Sequence, residues 1–254
     1  MNQILSKSDE AVEAKATAGL DSGSIGRLLL DYSLPAVVGM VVMSLYNVID
    51  RIFIGQGVGT DAIAGLAITF PVMNISAALG VLIGAGSAAR VSILLGARNQ
   101  RGAELVLGNA LTLILINAVV YLTLFAIFID DILLAFGASA ATLPYARDFM
   151  LYLLPGMLMM NISFSFNNVM RASGYPRKAM VTMFIGAGMN LLLAPVFIFV
   201  LGMGIKGAAI ATDISMAVSA WFVMKHFFEP ASSLRFRRGT FGVRAKVVFA
   251  IVSV

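Results

Sequence analysis

Six runs of predominantly apolar residues, each about twenty residues or longer and separated by short polar breaks, constrain this chain more than any other feature. A helix rising 1.5 Å per residue needs about 20 residues to cross a ~30 Å hydrocarbon core. A transmembrane β-barrel would show alternating segments of about ten residues instead, and none is visible. A large soluble protein with six buried helices would carry charged outer faces, which these runs lack, and apolar stretches of about 18 residues or more argue for spans. The pattern predicts an all-α membrane protein, a six-helix transmembrane bundle with spans over 28–54, 62–88, 104–129, 147–170, 179–201 and 206–228. A seventh apolar segment starts near Val243 and stops at Val254, far too short to cross.

Composition agrees: 59% of the residues are hydrophobic and 12% charged, against about 25% charged in soluble domains. The formal charge of +5 raises nucleic acid as a partner, but the basic residues fall in short loops between spans, which excludes a nucleic-acid groove. Fifteen of the 18 Lys and Arg residues lie on one side if the N-terminus is cytoplasmic, and only Arg51, Arg147 and Lys206 lie on the other. The positive-inside rule therefore predicts a multi-pass protein of the plasma (inner) membrane with a cytoplasmic N-terminus. No cysteine is present, so disulfides and thiolate metal sites are excluded. The polar start has no apolar core and is not a signal peptide. The expected organisation is a cytoplasmic tail over 1–27, the bundle over 28–228, a cytoplasmic connector over 229–243 and a truncated seventh helix over 244–254.

Polar residues inside the spans carry the functional information. An Asp at a helix centre costs about 2.5–3.5 kcal/mol on insertion scales and normally faces a cavity or a partner. Asp50, late in the first span beside Arg51, is the leading candidate, with an interfacial Asp50–Arg51 pair as its structural alternative. Asp213 in the sixth span is a second candidate; it adjoins Thr212, but neighbouring residues on a helix point about 100° apart. Asn161, Asn167 and Asn168 lie in the fourth span and Asn190 in the fifth, and Ser163 shares a face with Asn167. Asn74 and Asn117 are expected to be structural, and the fifteen Met residues to be core and lipid-facing filler. Pro35, within the first span, removes a backbone hydrogen bond and supplies a bendable point. Small residues such as Gly80, Gly84 and Gly86 mark a packing face. The string GMGIKG at 202–207 matches G-x-G-x-x-G but joins two spans, so it is no dinucleotide site.

The run YNVIDRIFIGQGVGTDAIAGLAITFPV at 46–72 resembles the first two helices of MATE transporters, the multidrug and toxic compound extrusion family. MRASGYPRKAM at 170–180 and MNLLLAPVFIFVLGMGIKGAAIATDIS at 189–215 extend the resemblance, which covers about residues 24–254 and looks closest to the multidrug-exporting bacterial branch. It implies twelve helices in two six-helix lobes, of which this chain matches the N-terminal one. It also implies a cation-responsive cluster, here Asp50, Asn167, Asn190 and Thr212, with bending about Pro35. The family's fifth-helix Asp would fall at Ala194, so one carboxylate of the pattern is missing. A Na⁺ site built from hard oxygen ligands would lose an anionic ligand there.

The function these features imply is secondary active efflux of amphipathic, cationic drugs, coupled to H⁺ or Na⁺ with no other cofactor. The partners implied are the lipid bilayer and either a missing C-terminal lobe or a second half-transporter. The alternatives are lipid-linked oligosaccharide flipping by a related fold, which would require several cationic residues in the cavity, and a non-transporting half-length membrane protein. A membrane enzyme would need a catalytic pair or a metal motif, and the only histidine is His226.

Overall fold

The computed structural model describes residues 25–229, 232–237 and 239–253, so most of the expected tail over 1–27 and the terminal Val254 lie outside the described residues. Six long helices follow one another: α1 (Ile25–Gly57), α2 (Thr60–Gly96), α3 (Gln100–Ala135), α4 (Leu143–Ala172), α5 (Pro176–Pro195) and α6 (Gly204–Phe228). All six are long and apolar enough to cross a membrane. A short α7 (Ala245–Val252) begins the seventh. The helices start and stop where local chemistry dictates. Gly174 and Gly204 adopt φ of +94° and +57°, conformations that favour glycine, and Pro176 opens α5 where its missing N–H is not needed. After Pro195 the chain loosens into a π-helical turn, Val196–Val200, closed by Leu201 N–H donating to the Val196 carbonyl at 2.9 Å.

The helices are longer than the apolar runs alone suggest. α2 continues eight residues past the expected end at 88, because Arg90 stays helical and donates from Nε to the Ala250 carbonyl at 3.0 Å. Gly55 and Gly57, beyond the expected end of the first span at 54, belong to α1, and Gly59 makes the turn, at φ +113°. Arg51, counted on the outer side, lies within α1 as the expected span 28–54 has it. A single polar residue does not end a helix whose backbone bonds have no other partner in a membrane.

α4 is the centre of the bundle, packed between α2 and α6 and touching α3 and α5 as well. α1 leans mainly on α5 and meets α2 and α6 only lightly. Glycine explains the tight α2–α4 seam: a Cβ on Gly84 would sit 2.6 Å from the Ser165 Cα. Across the same seam Asn161 donates to Ser76 Oγ at 3.1 Å and Ser165 Oγ donates to the Gly80 carbonyl. Replacing Gly84 with Val is expected to destabilise the bundle by about 1–3 kcal/mol, the usual cost of overpacking. A thermal melt in detergent checks this, and an unchanged midpoint would show that the seam is not close-packed.

The segment between α6 and α7 does not run free of the bundle. Leu234 is fully buried, and Phe236 packs its ring against Phe166 at 5.7 Å. Along one face of α3, Gln100 donates to the Ser233 carbonyl at 2.9 Å and Glu104 pairs with Arg237 at 3.0 Å. Farther down, Thr112 accepts from Gly242 N–H at 3.3 Å, and Asn109 Oδ1 accepts from Arg244 N–H at 2.9 Å. The chain is thus tied down α3 and delivered to α7, where the Ile251 carbonyl rests against Gly86 of α2. The turns at 97–99 and 173–175 share this end of the bundle, hereafter the basic end.

Candidate functional site

Between α1, α2, α4 and α6, where α1 stands away from α2, the bundle holds a cavity of about 380 Å³. Its walls are largely apolar, and five of the lining residues are methionines: Met43, Met73, Met157, Met160 and Met216. Unbranched thioethers adapt to differently shaped guests, which makes methionine common on promiscuous binding surfaces. Met157 and Met216 are buried, in keeping with the core reading, and the fold also gathers the five methionines from four helices onto one wall. Asn74, expected to be purely structural, also faces this cavity. The signal that sequence reading missed was the methionine pair Met157 and Met160, three apart on α4 and so on one face.

Two polar features interrupt the apolar lining. The Arg51 guanidinium lies over the Phe70 ring at 4.8 Å from the ring centre, holding a cation at the cavity edge. Among the described residues Asp50 has no ion-pair partner, so the interfacial Asp50–Arg51 pair does not form. The Asp50 Oδ1 atom is buried without a hydrogen-bond partner. One turn earlier on the same face of α1, Tyr46 lies within interaction range of the Thr212 side chain and the Asp50 carboxylate. Thr212 in turn accepts from Asn190 Nδ2 at 3.0 Å, and Asn190 is 1% exposed. α1, α5 and α6 thus meet at a polar cluster that holds the Asp50 carboxylate and the Tyr46 and Thr212 hydroxyls, with Asn190 Nδ2 donating to the last. These hard oxygens suit a proton or Na⁺. Tyr46 was not singled out from the sequence; its spacing of four from Asp50 was the available signal.

The remaining sequence candidates lie elsewhere. Asn167 donates to the Ala179 carbonyl and to Thr182 Oγ1, both at 2.8 Å. Thr182 and Asn190 are eight residues apart on α5, about 12 Å along its axis, so the fold does not bring Asn167 to the Asn190–Thr212 pair. Asp213 sits on the α4 side of α6, with its buried Oδ1 against Gly156. Ala194, where the resemblance calls for a carboxylate, is fully buried in an apolar cluster with Ile54 and Ala208. Pro35 lies inside α1, which continues through it. Among the described residues no three His, Cys, Asp or Glu side chains gather as a metal site.

Comparison with known proteins places this geometry. The family model MatE matches residues 35–196. The chain is 35% identical over 205 residues to an FAD transporter of Shewanella oneidensis, covering 79% of this chain and 45% of that protein. It is 30% identical over 220 residues to the multidrug export protein MepA of Staphylococcus haemolyticus, covering 85% and 48%. Among solved structures, an outward-facing multidrug resistance MATE transporter superposes with a TM-score of 0.84 at 30% identity, over 91% of this chain and 51% of that one. A MOP superfamily transporter from Pyrococcus furiosus gives 0.83 at 30% identity, with the same coverage. The chain spans about half the length of the curated relatives it matches. Its six spans and the start of a seventh match a single lobe of this fold.

Proposed function

The chain belongs to the MatE family, and from that premise we propose that it forms the N-terminal lobe of a cation-driven exporter of amphipathic, cationic small molecules. The observation that carries this is the methionine-lined cavity of about 380 Å³, with Tyr46 and Thr212 in its wall and Asp50 and Asn190 beside them. An adaptable apolar wall suits varied guests, and a carboxylate among neutral oxygens can change charge by binding H⁺ or Na⁺. The basic end faces the cytoplasm in this proposal, as its Lys and Arg residues require.

The cycle follows from linkage. A cation shifts a conformational equilibrium only as far as its affinity differs between the two states. When Asp50 is bare, its charge is costly in the lobe and favours the arrangement that hydrates it. When it holds a cation, α1 can pack more closely on α5 and α6, with Pro35 as the point of bending. Closure of the cavity then expels the guest. Alternating access needs a second lobe for α1 and α2 to work against, so the complete protein carries the activity. The test is uptake of a fluorescent organic cation into inverted vesicles bearing the complete transporter under imposed H⁺ and Na⁺ gradients. Uptake that ignores both gradients would sink the coupling.

One observation favours a second class of guest. Arg51 is a cation in the cavity wall, and a 35% identical relative is an FAD transporter. A flat, anionic dinucleotide would stack on Phe70 and pair with Arg51. Arg51→Gln separates the two: export of organic cations is expected to stay within about threefold, because a cationic guest gains nothing from a guanidinium. If anionic dinucleotides are the guests, the same change lowers their transport about tenfold or more. A lipid-linked oligosaccharide, whose pyrophosphate calls for several cations, is disfavoured by a lining that has Arg51 as its one basic residue.

A further inference from the structure

A second, smaller cavity of about 20 Å³ lies on the basic-end side of the main one, between α4, α5 and α6. Met43, Phe164 and Met216 line both cavities, so these three side chains are the partition between them. Its polar lining is ordered. Ser163, Asn167 and Arg171 follow at spacings of four on α4 and so form one stripe. Ser163 and Ser219 share a hydrogen bond of 2.8 Å, Ser219 donates to the Thr182 carbonyl at 3.2 Å, and Asn167 donates to Thr182 Oγ1.

Two atoms in this lining lack partners. Asn167 Oδ1 and Arg171 Nε are both buried and unbonded, and Asn167 is 3% exposed. One is an acceptor and the other a donor, and water in the compartment satisfies either, donating to the amide oxygen and accepting from the guanidinium. A cavity needs roughly 10–15 Å³ to hold one water with two or more polar partners, and this one meets that measure. Arg171 sits at the far end of the stripe, one residue before α4 ends.

We propose that this compartment is a hydrated vestibule on the inner side of the main cavity, and that the Arg171 guanidinium is the charge that closes it to cations. The inference rests on the reading that a coupling cation enters the main cavity. A transporter driven by a cation gradient must stop that cation from slipping through unaccompanied. Two flexible thioethers and one ring are a weak partition, and a wet polar pocket behind them is the easiest route to the basic end. A fixed positive charge on such a route repels cations while leaving water undisturbed, as arginines do in selective pores.

The test is passive leak. The complete transporter is reconstituted in vesicles without any export substrate, a H⁺ or Na⁺ gradient is imposed, and its decay is followed with ion-sensitive dyes. Arg171→Gln is expected to speed decay about tenfold, and Arg171→Lys, which keeps the charge, to stay within about twofold of the parent. Asn167→Asp gives an independent route, since a carboxylate four residues away neutralises the guanidinium by pairing, and it too is expected to leak. Tight vesicles with both Arg171→Gln and Asn167→Asp would overturn the proposal. So would equal leak from Arg171→Lys and Arg171→Gln, because the barrier would then be packing. A parent protein that moves no substrate under either gradient would defeat the export function, while the comparison of leak rates would still report on Arg171.

Discussion

Asp50→Asn is expected to lower gradient-driven export by the complete transporter about 100-fold, while binding of an organic cation to the detergent-solubilised protein changes little. The substitution keeps the shape of the side chain and removes only its ability to alternate between charged and neutralised forms. Asp50 Oδ1 is buried without a hydrogen-bond partner, on the helix face whose Tyr46 addresses Thr212. Under the proposed function, a group placed there at such cost acts through its charge. Asp213 is the matched control. Its carboxylate oxygen Oδ1 is likewise buried and no ion pair holds it, but it lies behind Gly156 on the α4 side of α6. Asp213→Asn is expected to leave export within about threefold and to raise thermal stability, since an amide is cheaper than an unpaired carboxylate in that position. Dye efflux from cells and a melt of each purified variant distinguish them. Full export by Asp50→Asn would remove it from the coupling site, and loss confined to Asp213→Asn would transfer the role.

Gly86→Leu is expected to cost about 3 kcal/mol or more and to release α7 from α2. A Cβ at this position would land on the Ile251 carbonyl, which is backbone and has no flexible end to give way. The docked segment between α6 and α7 is held by Leu234, by the Glu104–Arg237 pair and by Asn109 at the Arg244 N–H, and it leads directly into this contact. Loss of the α7 contact should therefore expose the bonds around Arg235 and Arg237 to trypsin. Limited proteolysis of the complete protein, with a melt alongside, reads both effects. A variant as resistant and as stable as the parent would show that α7 is not anchored at Gly86.

Several elements were legible before any coordinates. The six spans follow from run length, because a membrane leaves backbone polar groups no partner outside the helix itself. The breaks at Gly174–Pro176 and Gly202–Gly204 follow from backbone chemistry and appear where expected. Asp50 and Asn190 stood out as polar residues in apolar runs, Thr212 came in through the family resemblance, and Asn190 and Thr212 are bonded across α5 and α6. Helix ends were less legible, since Arg90 read as a loop residue yet lies inside α2, where its Nε has the Ala250 carbonyl to meet.

The number of spans and the presence of costly polar groups were thus properties of the chain's own order, set by hydrophobicity and the 1.5 Å rise. Which of those groups meet was not. Asn167 and Asn190 read alike in sequence, but the packing of α4 on α5 sends Asn167 to Thr182 and leaves Asn190 for Thr212. Met43, Met73, Met157 and Met216 look interchangeable with any other apolar residue until four helices turn them onto one wall. Within a helix, spacing alone fixes which residues share a face. Between helices, the rotation of each about its axis decides the contacts, and that rotation depends on close packing at glycines such as Gly84 and Gly86, which is a property of the assembled bundle.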